Sequence, residues 1–148
     1  MNATENEPVA LRTALQIEVN VSAPIALGEL DGMERRMIPI LGGKLTGPDF
    51  SGTILPGGSD VQSVRPDGTI DLLARYAVDL GANGKLLIEN TGIRRLTKSG
   101  EVDAAPYFRG VMRFCAPPGS LQWLNDSVFI SNGYRQGSTV YLDVMEVL

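Results

Sequence analysis

Asp60 closes the turn Gly57-Gly58-Ser59-Asp60 and leads into a short run of strand formers, Val61 to Val64. A carboxylate there, at the rim of a sheet, can serve as a general base or a ligand acceptor. It can equally be a turn aspartate that bonds backbone N–H groups two residues on. Arg75 lies within the alternating run Ile70 to Leu80 and is flanked on its own face by Leu73 and Ala77. A guanidinium in apolar company needs a partner, because a lone buried charge is costly. That partner is either a ligand carboxylate or enolate, or an acid of the chain such as Glu89. A two-residue turn at Asn83-Gly84 sets Glu89 on the opposite face from Arg75. A three-residue turn shifts the pairing by one and brings the two together. Tyr107 is a candidate proton donor beside Asp60 and Arg75. Tyr76, Glu89, Trp123 and Arg36 are candidate ligand-binding residues, with core packing the ordinary role of the aromatics.

These few groups matter because the chain has no histidine. Ser-His-Asp and Cys-His catalysis and histidine metal sites are excluded, so acid–base chemistry falls to Asp, Glu, Tyr, Lys or one thiol. Cys115 is the single cysteine, which leaves no intrachain disulfide and no cysteine zinc site. Next to Ala116-Pro117-Pro118 it is expected to be a buried small hydrophobe. Gly43-Lys44 is followed by Leu45 where a phosphate loop needs Ser or Thr. No metal and no cofactor are expected.

The elements that must position these groups are strands. Leu11 to Val21, Met33 to Ile40, Phe50 to Leu55, Val61 to Val64, Ile70 to Leu80, Lys85 to Thr91, Tyr107 to Cys115, Val128 to Asn132 and Thr139 to Val147 all suit extended backbone. Arg65-Pro66-Asp67-Gly68-Thr69 is a hairpin turn, and Pro39 predicts an edge or a bulge. Gly28 to Gly32 is expected as a turn-rich connection. Leu121 to Asn125 is expected as one helical turn capped by Ser120, and Leu96 to Ala105 as a polar flap. At 148 residues the chain fits one domain over 9–148 behind a short N-terminal tail, 1–8. Hairpin order favours an all-β, closed antiparallel barrel of nine or ten strands, with a sandwich as the alternative.

Net charge is −4, which argues against nucleic acid or an anionic membrane as partner. No apolar run is long enough to span a bilayer, and Met1 to Pro8 lacks a signal-peptide pattern, so a cytoplasmic location is expected.

Arg36-Met37-Ile38-Pro39-Ile40 with Gly42-Gly43, Leu55-Pro56-Gly57-Gly58-Ser59-Asp60, Asp67-Gly68, Ala74-Arg75-Tyr76, Tyr107-Phe108-Arg109, Arg113-Phe114 and Trp123-Leu124-Asn125 occur in an order and spacing that resemble the DUF3237 (UPF0311) family. The resemblance covers roughly residues 9–148. It implies a calycin-like barrel that self-associates, here as a homodimer, and it implies no settled activity. One departure is visible: the family often has an aromatic directly after the acid of the Gly-Gly turn, where this chain has Val61.

The functional expectation is a cofactor-free lyase or isomerase acting on a small, mostly apolar oxygenated molecule. Asp60 would be the base, Arg75 the anion stabiliser and Tyr107 a donor. The alternatives are a non-catalytic small-molecule-binding barrel and a structural oligomerisation module whose interior is filled by side chains.

Overall fold

Period-two alternation over Leu11–Val21 buries Leu15, Ile17, Val19 and Val21 and leaves the intervening residues outside, as a strand with one wet face requires. The same logic repeats around the computed structural model, which describes residues 6–96 and 105–148. Ten strands follow one another: β1 (Leu11–Val21), β2 (Ile25–Leu30), β3 (Met33–Thr46), β4 (Ser51–Ile54), β5 (Ser59–Val64), β6 (Ile70–Asp79), β7 (Lys85–Arg95), β8 (Tyr107–Cys115), β9 (Val128–Gln136) and β10 (Thr139–Val147). Each from β6 to β10 pairs antiparallel with the next. β10 then pairs with β1, and β1 with β3. β4 and β5 both sit between β3 and β6. The result is a closed eight-stranded antiparallel barrel, which leaves no long edge to aggregate. The sandwich alternative is excluded by the β1–β3 seam.

Glycine makes that seam possible. Gly43 lies opposite Val19, with φ +138° and the Glu18 carbonyl oxygen 1.9 Å from where a Cβ would stand. Next to it the β1–β3 register slips between Asn20 and Val21, a bulge that bends the strand. Pro39 falls where β3 changes neighbours from β2, at Met37, to β1, at Ile40. Its missing N–H therefore costs no ladder bond.

Several local expectations differ from the structure. The Gly28 region is a strand, β2, whose residues are all exposed and which pairs only with β3. The turn proper is at Asp31 and Gly32, both at positive φ. The Asn83-Gly84 hairpin is longer than two or three residues: Asp79 pairs with Lys85, and Leu80 to Gly84 form the connection through a 3₁₀ turn. The turn after Ser120 is also 3₁₀, over Gln122–Asp126, without a side-chain cap. Cys115 is exposed rather than buried. The reason is parity: Phe108, Met112 and Phe114 of β8 point inward, so Cys115 points out. Of the expected flap only Leu96 and Ala105 lie within the described residues. Among those residues no helix is long and apolar enough to cross a membrane.

The barrel is filled at one end. Leu15, Leu45, Ile54, Val78, Leu86, Phe129 and Val144 are essentially inaccessible to water. Phe114 meets Phe129 edge to face at 4.8 Å, and Leu124 from the 3₁₀ turn is fully buried.

Candidate functional site

The other end is hollow. There β1, β7 and β9 finish and β6, β8 and β10 begin, and a cavity of about 50 Å³, counted as space open to water centres, lies among Val21, Ile40, Leu72, Tyr76, Phe108 and Leu142. A single water needs about 10–15 Å³ by that measure, and a cavity that takes benzene is about 150 Å³, so this one has room for a few waters or a short aliphatic group. The wall is apolar apart from a few convergent polar groups: Asp60, Gln62, Tyr76, Asn90, Arg94 and Arg135.

Asp60 and Gln62 are two apart on β5 and therefore share its inner face, while Val61 between them is exposed. The missing family aromatic at that position is thus a residue of the outer wall. Gln62 is fixed from both sides. Its Oε1 accepts from Arg36 Nε at 2.8 Å, and its Nε2 donates to Asp60 Oδ2 at 2.7 Å. The second carboxylate oxygen, Oδ1, is buried without a hydrogen-bond partner among the described residues. Burial raises the Asp60 pKa above the ordinary aspartate range, opposed by the Gln62 amide, the Arg36 charge and the Leu73 backbone.

Tyr76 enters the same space from β6. Its hydroxyl is buried with no hydrogen-bond partner among the described residues, and burial, then the Asp60 charge, hold its pKa well above that of a free phenol. Asn90 lies beside it on β7, almost wholly buried, with Ser131 Oγ 3.5 Å from its Oδ1. Gly110 makes room for this pair, since a Cβ there would stand 2.3 Å from Asn90 Oδ1.

Of the residues singled out from sequence, the cavity receives Asp60 and Tyr76 directly, and Arg36 through Gln62. The others are elsewhere. Arg75 and Glu89 are directly opposed across β6 and β7 on the outer face. Glu89 Oε2 accepts from both Nε and Nη2 of Arg75. Inward Tyr76 forces outward Arg75, because neighbours on a strand face opposite ways. Tyr107 is outward for the same reason, next to inward Phe108. It packs between Arg95 and Arg109, whose guanidinium carbons lie 4.2 and 5.2 Å from its ring centroid. Trp123 sits on the 3₁₀ turn, 40% exposed, against Phe129 at the filled end. Exposed pairs of the Arg75–Glu89 kind contribute about 0–1 kcal/mol. Glu89→Gln is therefore expected to shift the thermal midpoint by no more than a few degrees and to leave ligand binding in the cavity unchanged, as read by calorimetric titration.

Gln62, Asn90, Arg94 and Arg135 were not singled out as site residues from sequence. Gln62 had a usable signal, its spacing of two from Asp60. Asn90 alternates with Ile88 and Leu86, both inward and buried. Among the described residues no three Cys, Asp or Glu side chains converge as metal ligands.

Comparison with known proteins agrees with this architecture. A family model described as "Protein of unknown function (DUF3237)" matches residues 9–147. The chain belongs to the DUF3237 family. A UPF0311 protein of Clostridium acetobutylicum is 36% identical over 157 residues, spanning 99% of both chains. Among solved structures, a β-barrel-like protein of Acinetobacter baumannii superposes with a TM-score of 0.91 at 25% identity, covering 99% of this chain and 100% of its own. The structure of an enzyme from Penicillium herquei superposes with a TM-score of 0.77 at 17% identity, covering 99% and 100%. That last likeness is one of fold. The DUF3237 barrel is thus a scaffold whose chemistry must be argued from the groups in its cavity.

Proposed function

We propose that this DUF3237 protein is a cofactor-independent lyase or isomerase. It acts on a small, mostly apolar oxygenated molecule held in the hollow end of the barrel. One observation carries the reading: a carboxylate with a raised pKa and an oxygen unpartnered among the described residues, Asp60 Oδ1, faces a largely apolar cavity. A base poised nearer neutral pH and stripped of water is what proton transfer at carbon requires. Asp60 takes a proton from the ligand and returns it at another position or to a leaving group. Gln62, tethered by Arg36, holds the carboxylate in place. Tyr76 offers its hydroxyl to a ligand oxygen. The Penicillium herquei protein supports the reading only in that a barrel of this shape can house an enzyme.

Tyr76→Phe separates binding from chemistry. It removes a buried hydroxyl that has no partner among the described residues, so the variant is expected to be as stable as the parent or more stable by about 1 kcal/mol. It also removes a hydrogen bond to the ligand, so KM rises about tenfold while kcat changes little. Thermal melts and steady-state kinetics read the two effects independently.

The second reading is a carrier. The same unpartnered groups, Asp60 Oδ1 and Tyr76 Oη, would serve a bound ligand as hydrogen-bond partners without any reaction. Incubating the ligand with the protein decides: a ligand recovered unchanged favours the carrier.

A further inference from the structure

Three arginines converge at the mouth of the cavity. Arg94, near the end of β7, and Arg135, near the end of β9, both line it. Arg36, on β3, stands behind Gln62 and close enough for its charge to act on Arg94. None of the three takes part in an ion pair among the described residues. The carboxylates that do so are Glu146 with Arg12, Glu18 with Lys44, Asp71 with Arg65 and Glu89 with Arg75.

What holds each guanidinium is weak compensation for its charge. Arg94 lies 6.0 Å from the centroid of the Phe108 ring, the neighbour opposite it on β8. Arg135 donates from Nε to the Gly137 carbonyl at 2.9 Å, and Arg36 donates to a neutral amide. Burial, then repulsion from Arg135 and Arg36, lowers the Arg94 pKa. Like charges are expensive to gather in a half-buried place unless an anion joins them. Among the described residues Asp60 is the only acid of the cavity wall, with Arg94 and Arg135 in that wall and Arg36 behind Gln62.

We propose that this cluster is a binding site for the carboxylate of a short-chain aliphatic monocarboxylic acid, whose few carbons enter the barrel toward Asp60 and Tyr76. The inference rests on the cavity reading above and adds the class of ligand. A planar carboxylate accepts two parallel hydrogen bonds from a guanidinium fork. Its single charge suits a site already holding one acid, and the apolar wall and small volume behind suit a short aliphatic chain.

Calorimetric titration of the intact chain with propionate, butyrate and isobutyrate, each beside its neutral amide, tests this. At least one acid is expected to bind roughly tenfold or more tightly than its amide, with that preference weakening as salt rises. Arg94→Gln and Arg135→Gln should each abolish most of the preference, and Arg94→Lys should keep part of it. Without ligand, both glutamine variants should melt at or above the parent temperature, because repulsion is relieved; a merely structural arginine would melt lower. Equal binding of acid and amide, failure of all three acids to bind, or displacement of the acid by inorganic phosphate at matched ionic strength would overturn the proposal. Asp60→Asn should keep or strengthen acid binding while losing turnover. Loss of turnover in that variant without any acid preference in the parent would leave the catalytic reading standing and this inference refuted.

Discussion

Asp60→Asn is expected to lower kcat about 10²–10⁴-fold, the range attributable to a positioned general base, and at the same time to raise the melting temperature at pH 7 by a few degrees. Both effects have one cause. The carboxylate sits in a place that penalises its charge, and the amide keeps the shape and can still accept from Gln62. The pH dependence follows in sign. The folded pKa of Asp60 lies above its unfolded value of about 3.9, so between the two the native state holds the proton and the unfolded state does not. Stability is then lost as pH rises from the unfolded pKa through the folded one. The stability advantage of the asparagine variant should therefore be full above the folded pKa and vanish below about pH 4. Paired thermal melts across that range check it. An active variant, or one whose melting difference did not depend on pH, would count against the assignment.

Gly43→Ala should produce the largest loss of stability of any single methyl addition considered. A Cβ at Gly43 would stand 1.9 Å from the Glu18 carbonyl oxygen, on a backbone with φ +138°. Both the strand spacing and the φ value must yield, at the seam where β1 closes on β3. A cost of about 3–5 kcal/mol is expected, or roughly 10 °C or more in Tm for a chain of this size. Gly57→Ala is the control. Its φ is +110° but nothing lies within 4 Å of the added methyl, so only conformational strain of about 1–2 kcal/mol remains. Equal losses in the two variants would show that closure at the seam is not what limits stability.

Much of the fold was legible because a barrel this small repeats one rule. Ile70, Leu72, Ala74, Tyr76 and Val78 alternate with Asp71, Leu73, Arg75, Ala77 and Asp79, and the apolar row is the inner one. The same rule, pressed further, places Arg75 and Tyr107 outside: neither can share the cavity with its strand neighbour Tyr76 or Phe108. Asp60 was recognisable as a rim acid, yet its inward direction was not. Val61, the apolar residue beside it, is the exposed one, and the polar Gln62 is buried. What a single strand cannot carry is register. The meeting of Arg75 and Glu89 depended on a five-residue connection, Leu80 to Gly84, with a 3₁₀ turn that an Asn-Gly pair did not announce. The arginine cluster is likewise a product of closure, since Arg36, Arg94 and Arg135 come from β3, β7 and β9 and meet only because the sheet returns on itself.

The most direct test of acid–base chemistry in the cavity is isotopic. Protein purified from its own host is examined by native mass spectrometry for a bound small molecule. That molecule is then incubated in D₂O with the parent protein and, separately, with Asp60→Asn. Proton transfer through Asp60 predicts conversion of the molecule, or incorporation of deuterium at carbon, with the parent and neither with the variant. A molecule recovered unchanged and free of deuterium from the parent would contradict the account and leave a barrel that binds without reacting.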